Sequence, residues 1–319
     1  MTIKEICIEI KKLKSVLIFT HVRPDGDTIG SGMGLKLLLE KVNIKTDIIC
    51  ESTIPEKFSF LIPQNTFLTE IDNNKEYDAY IAVDCSDENR IGSFGEQFLK
   101  AKTTYNIDHH ISNTRFAKYN YVQERAATAE IILEITLCLL ESKNIDKSIA
   151  NCLLLGICTD TGNFMHQNVT EKTLVSASIL VGCGGELHNI SYYMFKNQKK
   201  ERAELYAKII SKVRYFNDNK ISIITVFMED IEKANASADM TEGFIDFPLS
   251  IEGVEVAVCL LQSKKNQYKI SFRSKGTINV NEVAGVFGGG GHILASGCMI
   301  NGDYEEVIDK LVYAISARL

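Results

Sequence analysis

The stretch FTHVRPDGDTIGS, residues 19–31, places His21, Asp25 and Asp27 within seven positions of one another. Similar polar groups recur in three later segments, VDCSD, NIDHH and GICTDTG. Together the four segments contribute carboxylates and imidazoles from His21, Asp25, Asp27, Asp84, Asp108, His109, His110 and Asp160. Groups of these types are the ones that bind divalent metal ions and act as acids and bases.

Buried together without a counter-charge, so many carboxylates would repel one another strongly. Divalent cations would remove that repulsion. Mixed imidazole and carboxylate ligands suit manganese, zinc or iron, whereas ligand sets made only of oxygen suit magnesium better. Two metal ions ~3.5–4 Å apart can stabilise the attacking and leaving oxygens of a phosphoryl transfer. The chemistry that these residue types favour is therefore metal-assisted hydrolysis of a phosphate ester.

Each segment also has a purely structural interpretation. Asp-Gly-Asp is a common turn, and Asp84 is suited to capping the next helix. The His109–His110 pair is also suited to a structural or surface role, and Asp160 to ending its helix. The combination favours a site, because all four segments aim at the same edge of one predicted sheet.

That sheet is predicted from alternating strand and helix patterns in the first half of the chain. Apolar strands are predicted at 15–21, 45–50, 77–87 and 103–110, and a helix at 30–42. This alternation indicates an α/β fold with a parallel sheet, whose ligands lie at the carboxyl ends of the strands. Three further helices are predicted between residues 126 and 185.

The second half of the chain has a different pattern. Residues 213–227 and 254–274 each read as two strands around a turn, and helices are predicted at 280–287 and 304–317. The sequence therefore predicts a catalytic domain over 1–190, a charged connecting helix or linker over 191–212, and a smaller α+β domain over 213–319. An active-site cleft is expected between the two domains.

Composition excludes several classes of protein. The 319 residues carry a net charge of −6, which disfavours a long basic groove for extended nucleic acid. No apolar run approaches the ~20 residues of a membrane helix, and the N-terminus lacks the pattern of a signal peptide. Nine cysteines without a Cys-x-x-Cys pair indicate reduced thiols and a cytoplasmic protein.

The four segments HVRPDGDTIGS, VDCSD, NIDHHISN and GICTDTGNF resemble, in order, the signature motifs of the DHH phosphoesterase superfamily. GGGGHILASG resembles the glycine-rich motif of the DHH-associated C-terminal domain. The resemblance covers nearly the whole chain and is greatest to the NrnA-type group. That group hydrolyses short oligoribonucleotides and removes the 3′-phosphate of adenosine 3′,5′-bisphosphate (pAp).

The resemblance implies a role for each polar residue. His21 and Asp25 would hold one manganese ion, Asp27, His109 and Asp160 the other, and Asp84 would bridge the two. His110 would contact the scissile phosphate or the leaving oxygen, while Asp108 would orient the histidines and tune their charge. Asn113 would brace the histidine loop. We interpret His166 as a loop residue.

In the second domain, the resemblance assigns the terminal phosphate or nucleotide of the substrate to Arg273, Gly290, Gly291, His292 and Ser296. Glycine backbone can approach a phosphate closely, and an arginine can bind it through two hydrogen bonds. The structural alternatives are a flexible helix stop for the glycines and an exposed strand residue for Arg273.

The expected function is hydrolysis of short oligoribonucleotides and pAp with two Mn²⁺ ions, for which Mg²⁺ or Co²⁺ could substitute. The alternative is a phosphodiesterase for cyclic di-AMP or the dinucleotide pApA with the same site. Long duplex nucleic acid and membranes are not expected as partners, and the family suggests a homodimer. A non-catalytic nucleotide-binding module and an inorganic pyrophosphatase are the competing classes. The complete ligand set disfavours the first, and the GGGGH loop disfavours the second.

Overall fold

The computed structural model describes residues 1–63, 65–72 and 74–319, and these form two compact units, Met1–Asn197 and Gln198–Leu319. The division falls inside the stretch 191–212 that the sequence predicts as a linker. Among the described residues, no helix is both long enough and apolar enough to span a membrane.

The first unit is built on a five-stranded sheet in the order β2-β1-β3-β4-β5, in which every neighbouring pair is parallel. Its strands are β1 (Ser15–Phe19), β2 (Lys45–Ile49), β3 (Ala79–Val83), β4 (Thr104–Asp108) and β5 (Tyr119–Val122). Its α-helices are α1 (Ile3–Ile10), α2 (Gly26–Lys41), α3 (Gly95–Lys100), α4 (Thr128–Leu139), α5 (Lys147–Asp160), α6 (Glu171–Gly182) and α7 (Leu187–Phe195). The α/β class with a parallel sheet is confirmed.

Close packing of α2 against α5 determines how the first unit holds its polar residues. A Cβ atom on Gly30 would overlap the carbonyl oxygen of Cys152, and one on Gly34 would lie 2.5 Å from the Leu153 side chain. Glycines spaced four apart therefore form a smooth stripe that lets the two helices approach. This contact brings the start of α2 next to the end of α5.

Helix α2 begins at Gly26, so the prediction of a start near Gly30 was wrong. The physical reason is the cap. The Asp25 carboxylate accepts hydrogen bonds from the backbone N–H groups of Asp27 and Thr28, at 3.1 and 3.0 Å. Four glycines among the first nine residues of α2 would be unfavourable in an isolated helix, but here the cap and the contact with α5 stabilise it.

The second unit contains a six-stranded mixed sheet in the order β10-β11-β9-β8-β7-β6. Its strands are β6 (Arg214–Phe216), β7 (Ile221–Val226), β8 (Val256–Lys264), β9 (Gln267–Ser274), β10 (Gly290–Gly291) and β11 (Ala295–Asn301). Its α-helices are α8 (Lys200–Ile210), α9 (Met228–Lys233), α10 (Asp246–Ser250), α11 (Val280–Val286) and α12 (Tyr304–Ser316). Only the β7–β8 pair is parallel among these strands.

Helices cover the two faces of this sheet differently. Residues of α11 and α12 share a core with alternate residues of β7, β8, β9 and β11. On the opposite face, α8, α9 and α10 pack with β7 and β8. Leu205 and Ile209 of α8 are fully buried in that second core. The charged helix expected to be a solvated connection is therefore an integral part of the second unit.

Candidate metal centre

The polar segments follow three adjacent parallel strands of the first unit. His21 lies two residues beyond β1, Asp84 directly follows β3, and Asp108 ends β4. Parallel strands bring such residues to one edge of the sheet. Asp84 has a positive φ of 60°, a conformation that costs energy in residues other than glycine and turns the chain sharply at this point.

Two groups of ligand-type atoms lie on either side of Asp84. In the first group, the His21 Nε2 atom is 3.5 Å from Asp25 Oδ2 and 3.7 Å from Asp84 Oδ2. The second group combines Asp27, His109 and Asp160, with His109 Nε2 3.3 Å from Asp160 Oδ2. His109 Nε2 is also 3.6 Å from Asp84 Oδ1. Each carboxylate oxygen of Asp84 thus faces a different group, which is the arrangement of a bridging ligand.

Backbone carbonyls orient the two histidines. The Nδ1 atom of His21 lies 2.9 Å from the Val22 carbonyl oxygen, and that of His109 lies 3.1 Å from the Arg125 carbonyl oxygen. Because a carbonyl can only accept, Nδ1 must carry the hydrogen in both rings. Each Nε2 atom then presents a lone pair to the carboxylates, as a metal-ligating histidine requires.

Asp27 is completely buried and is held by the N-terminus of α4. Its carboxylate accepts hydrogen bonds from the backbone N–H groups of Thr128 and Ala129, at 2.6 and 3.0 Å. The hydroxyl of Ser31 donates a third, at 2.8 Å. The residue before α4 is an alanine without a capping side chain, so Asp27 supplies the cap from another helix. One carboxylate therefore joins α2 to α4 at the site.

Two threonine hydroxyls hold Asp84. Thr28 donates to Asp84 Oδ2 at 2.5 Å, and Thr128 donates to Asp84 Oδ1 at 2.9 Å. Neither threonine was predicted from the sequence to contact the site. Thr28 directly follows Asp27, and Thr128 is the first residue of α4. Only the packing of α2 and α4 shows that the two threonines meet at Asp84.

The positive charge of the described side chains does not balance the negative charge of the buried carboxylates, as their pKa values show. Burial raises the pKa of Asp84 and Asp160 well above the usual value, and the neighbouring aspartates add to both increases. Burial also raises the pKa of Asp27. For Asp25, burial opposes but does not overcome the hydrogen bond and charge of a protonated His21 ring, in which Nε2 also carries a hydrogen, and these lower the pKa of Asp25 to about 2. Mixed oxygen and nitrogen donors with excess negative charge fit divalent metal ions.

A separate chain of hydrogen bonds orients His110. Its Nδ1 atom lies 2.7 Å from Asp108 Oδ1, and the Asn113 side-chain amide donates to Asp108 Oδ2 at 2.6 Å. Burial lowers the pKa of His110, but the hydrogen bond and charge of Asp108 outweigh it, so the net pKa is raised. Within the described ranges, the other ring nitrogen of His110, Nε2, forms no hydrogen bond with the protein. Asn113 braces this loop in the way that the sequence analysis expected.

His166 lies close to the cluster although the sequence analysis interprets it as a loop residue. Its Nδ1 atom is 3.3 Å from the Asp160 carbonyl oxygen. The preceding residues Gly162, Asn163 and Phe164 all have positive φ angles of 54–65°. The loop after Asp160 is thus tightly constrained and directs His166 back toward the end of α5.

The expected substrate-binding residues lie together in the second unit. Gly290 and Gly291 of β10 pair with Gly297 and Ser296 of β11, and Ala295 of β11 pairs with Arg273 of β9. The Ser296 hydroxyl donates to the His292 carbonyl oxygen at 2.7 Å, which stabilises the turn that carries the exposed His292. Gly288 has a φ of 73° just after α11, so the glycine run also ends that helix. Arg273 is half-buried and donates to the Phe272 carbonyl oxygen.

Two family models match the chain. Residues 15–157 match the N-terminal domain of the DHH family, and residues 219–319 match the DHHA1 domain. The first match contains seven of the eight polar residues of the centre, and the second contains Arg273 and the glycine loop.

Similar proteins agree with these matches. The bifunctional oligoribonuclease and PAP phosphatase NrnA of Thermus thermophilus is 28% identical over 95% of this chain and 90% of its own length. The cyclic-di-AMP phosphodiesterase PdeA of Listeria monocytogenes is 24% identical over 97% of this chain, which spans 48% of that longer protein. The crystal structure of an exopolyphosphatase-related protein from Bacteroides fragilis has a TM-score of 0.91, with 25% identity, and covers 99% of this chain and 95% of that one.

Proposed function

The chain combines the N-terminal domain of the DHH family with a DHHA1 domain, and we therefore propose that it is a metal-dependent phosphoesterase. The substrates we propose are short oligoribonucleotides, which it hydrolyses to mononucleotides, and pAp, from which it removes the 3′-phosphate. The observation that carries this proposal is the pair of ligand groups joined by Asp84. Near-full-length similarity to a bifunctional oligoribonuclease and PAP phosphatase supports the choice of substrates.

We propose that two divalent cations, Mn²⁺ by preference, occupy the two groups. His21 and Asp25 would hold one ion, Asp27, His109 and Asp160 the other, and Asp84 both. The donors fit, because imidazole and carboxylate ligands together suit Mn²⁺ and because the buried carboxylates need positive charge. When bound, such a pair of ions supplies positive charge that activates water and neutralises phosphate oxygens.

The residues of the chain prepare the site for this chemistry. The carbonyl groups of Val22 and Arg125 fix the ring orientation of His21 and His109, so that neither ring must reorganise during the reaction. Asp108 holds His110 with its Nε2 atom directed away from the carboxylate. His110 is therefore assigned to contact the scissile phosphate and to donate a proton to the departing 3′-oxygen. Arg273, Gly290, Gly291, His292 and Ser296 are assigned to the terminal phosphate or nucleotide of the substrate.

A substrate panel tests the proposal. With Mn²⁺ present, pAp and a five-nucleotide RNA should be hydrolysed faster than a twenty-nucleotide RNA, because the acidic chain offers little long-range attraction to an extended phosphate backbone. Fastest degradation of the twenty-nucleotide RNA would contradict the assigned substrate length. Faster hydrolysis of pyrophosphate than of pAp would instead favour a pyrophosphatase.

The second candidate function uses the same site. The similarity to a cyclic-di-AMP phosphodiesterase supports a dinucleotide phosphodiesterase that acts on cyclic di-AMP or pApA. Adding both compounds to the panel separates the two candidates. Turnover of cyclic di-AMP above that of pAp and the five-nucleotide RNA would favour this second function.

A further inference from the structure

A depression of about 420 Å³ lies on the sheet of the second unit and is lined in part by Gly288, the first glycine of the run 288–291. Lys269 and Ser271 of β9 line one side, Gly297 and Met299 of β11 lie across from them, and Phe287 and Gly288 lie beyond β11. The proposed function leaves these six residues without a role. We refer to this cavity as the β9–β11 depression.

The depression lies on the face of β9 that helices α11 and α12 leave uncovered. Tyr268, Ile270 and Phe272 are buried in the core beneath those helices. Successive side chains of a strand point to opposite faces, so Lys269, Ser271 and Arg273 share the other face. Lys269 is exposed there and Arg273 is half-buried.

The cationic side chains of Lys269 and Arg273 therefore lie near opposite ends of β9, on the same face of the sheet. Four residues of a strand separate Lys269 from Arg273, which corresponds to about 13 Å. Both lie near the buried thiol of Cys259. Burial raises the pKa of that thiol to about 12, and the two positive charges oppose the increase. Within the described part of the chain, neither cation forms an ion pair with an acidic side chain, so both remain able to bind an anion.

The surface between the cations suits a nucleotide. Gly297 carries no side chain, and a Cβ atom there would lie only 2.9 Å from the Ile270 carbonyl oxygen, so the floor of the depression is backbone. The hydroxyl of Ser271 can donate or accept a hydrogen bond. The half-exposed Met299 offers a thioether, and Phe287, which packs in part against the core beneath α11 and α12, offers the remaining exposed part of an aromatic ring. Apolar and aromatic surface beside a cation is the combination that binds a base and its phosphate.

We propose that the β9–β11 depression is a subsite for a second nucleotide of a short oligonucleotide, adjoining the nucleotide whose phosphate Arg273 binds. Lys269 binds the phosphate of this second nucleotide, and its base packs on Phe287 and Met299. The inference rests on the proposed function, since only an oligonucleotide substrate reaches the subsite. The mononucleotide pAp is too short to occupy it.

The substitution Lys269→Ala tests the subsite, with Lys265→Ala as the matched control in the exposed turn between β8 and β9. We expect Lys269→Ala to raise KM for a trinucleotide by roughly 3- to 10-fold, as for loss of one partly exposed charge contact. The kcat/KM for pAp should stay within about twofold of the wild type, and Lys265→Ala should leave both substrates within that range. Equal effects of Lys269→Ala on pAp and trinucleotide, or no effect on either, would overturn the subsite.

A binding measurement separates this inference from the proposed function. The dissociation constant of a fluorescently labelled trinucleotide is measured in EDTA, where no hydrolysis occurs. If the wild type hydrolyses no phosphate ester but binds the trinucleotide more tightly than Lys269→Ala does, the proposed function fails and the subsite stands. If hydrolysis occurs but the two proteins bind equally, the proposed function stands and the subsite fails.

Discussion

At the scale of single residues, the site depends on how each carboxylate is held before a metal ion binds. Asp25 caps α2, Asp27 caps α4, and Asp84 accepts hydrogen bonds from two threonine hydroxyls. These contacts satisfy the carboxylate oxygens in part but supply no full positive charge. The capping interpretation of such aspartates and the metal-ligand interpretation are thus compatible, because a cap positions a carboxylate while leaving a lone pair free.

Replacing Asp84 by asparagine should separate stability from activity. The amide keeps the shape and tolerates the positive φ, but it removes one charge from a buried, mutually repelling group. In EDTA at pH 7, we expect the free energy of unfolding to rise by about 1–2 kcal/mol, measured by urea denaturation. Hydrolysis of pAp with Mn²⁺ should be lost. Retained activity would contradict a bridging role, and a lower stability in EDTA would contradict the repulsion.

Asp108 should affect the reaction through His110. Asp108→Asn removes the charged acceptor at 2.7 Å from Nδ1, so the ring loses its fixed orientation. We expect kcat for pAp to fall about 10- to 100-fold with KM little changed, as for loss of an orienting partner.

The control for this prediction is Asp87→Asn. Asp87 belongs to the same region of the sheet edge, where it accepts hydrogen bonds from the backbone N–H of Asn89 at the start of a short helix and from the Ser86 hydroxyl. It should leave kcat within about twofold of the wild type. Equal losses in the two variants would mean that Asp108 acts only on the fold.

At the scale of elements, the contact between α2 and α5 sets the distance between Asp27 and Asp160. Gly30 lies at the centre of that contact, against the backbone of Cys152 and Gly156. Backbone atoms cannot move aside as a flexible side chain could. The glycines of α2 are therefore a structural requirement of the site, although none of them is a ligand.

Gly30→Ala should force the two helices apart. We expect a loss of about 2–3 kcal/mol in the free energy of unfolding, together with weaker metal binding, because the start of α2 moves away from the end of α5. The matched control is Gly182→Ala at the exposed end of α6, where an added Cβ atom meets nothing within 4 Å. That control should be neutral or stabilising by up to about 1 kcal/mol. A Gly30→Ala protein as stable as the Gly182→Ala protein would disprove the close-packing requirement.

Much of this element-level arrangement could be predicted from the sequence. The apolar segments predict the strands of the sheet. The acidic residues that follow these segments predict the edge of the sheet at which they meet, because the strands of a parallel sheet have one defined ligand-binding end. The start of α2 could not be predicted, since the capping contact and the packing against α5 override the low helix propensity of its glycines. Strand β5 was missed because YNYV is short and half polar, and β11 because its pattern follows directly on the glycine run.

The contacts of Thr28 and Thr128 with Asp84 could not be predicted from the sequence. They join residues 56 and 44 positions apart, and nothing in either local pattern specifies such a contact. The same holds for the Arg125 carbonyl that orients His109. The proposed ligands could thus be identified from motifs, whereas the groups that hold them depend on how the helices pack.

At the scale of the whole molecule, a net charge of −6 accompanies a proposed anionic substrate. Binding must then rely on metal ions and on a few local cations, such as Arg273 and Lys269. If no more than two cations contact phosphate, a plot of the logarithm of the binding constant for a five-nucleotide RNA against the logarithm of the salt concentration should have a slope of about −1.4. The dissociation constant measured in EDTA from 50 to 200 mM NaCl checks this. A slope steeper than about −3 would require a more extensive basic surface.

Calorimetric titration of the metal-free protein with Mn²⁺ shows whether the cluster around Asp84 binds two metal ions. The arrangement of His21, Asp25, Asp27, Asp84, His109 and Asp160 predicts two ions per chain in the wild type. Asp84→Asn should bind fewer ions or bind both much more weakly. One ion or none in the wild type, or two ions bound with unchanged affinity by Asp84→Asn, would contradict the two-metal centre.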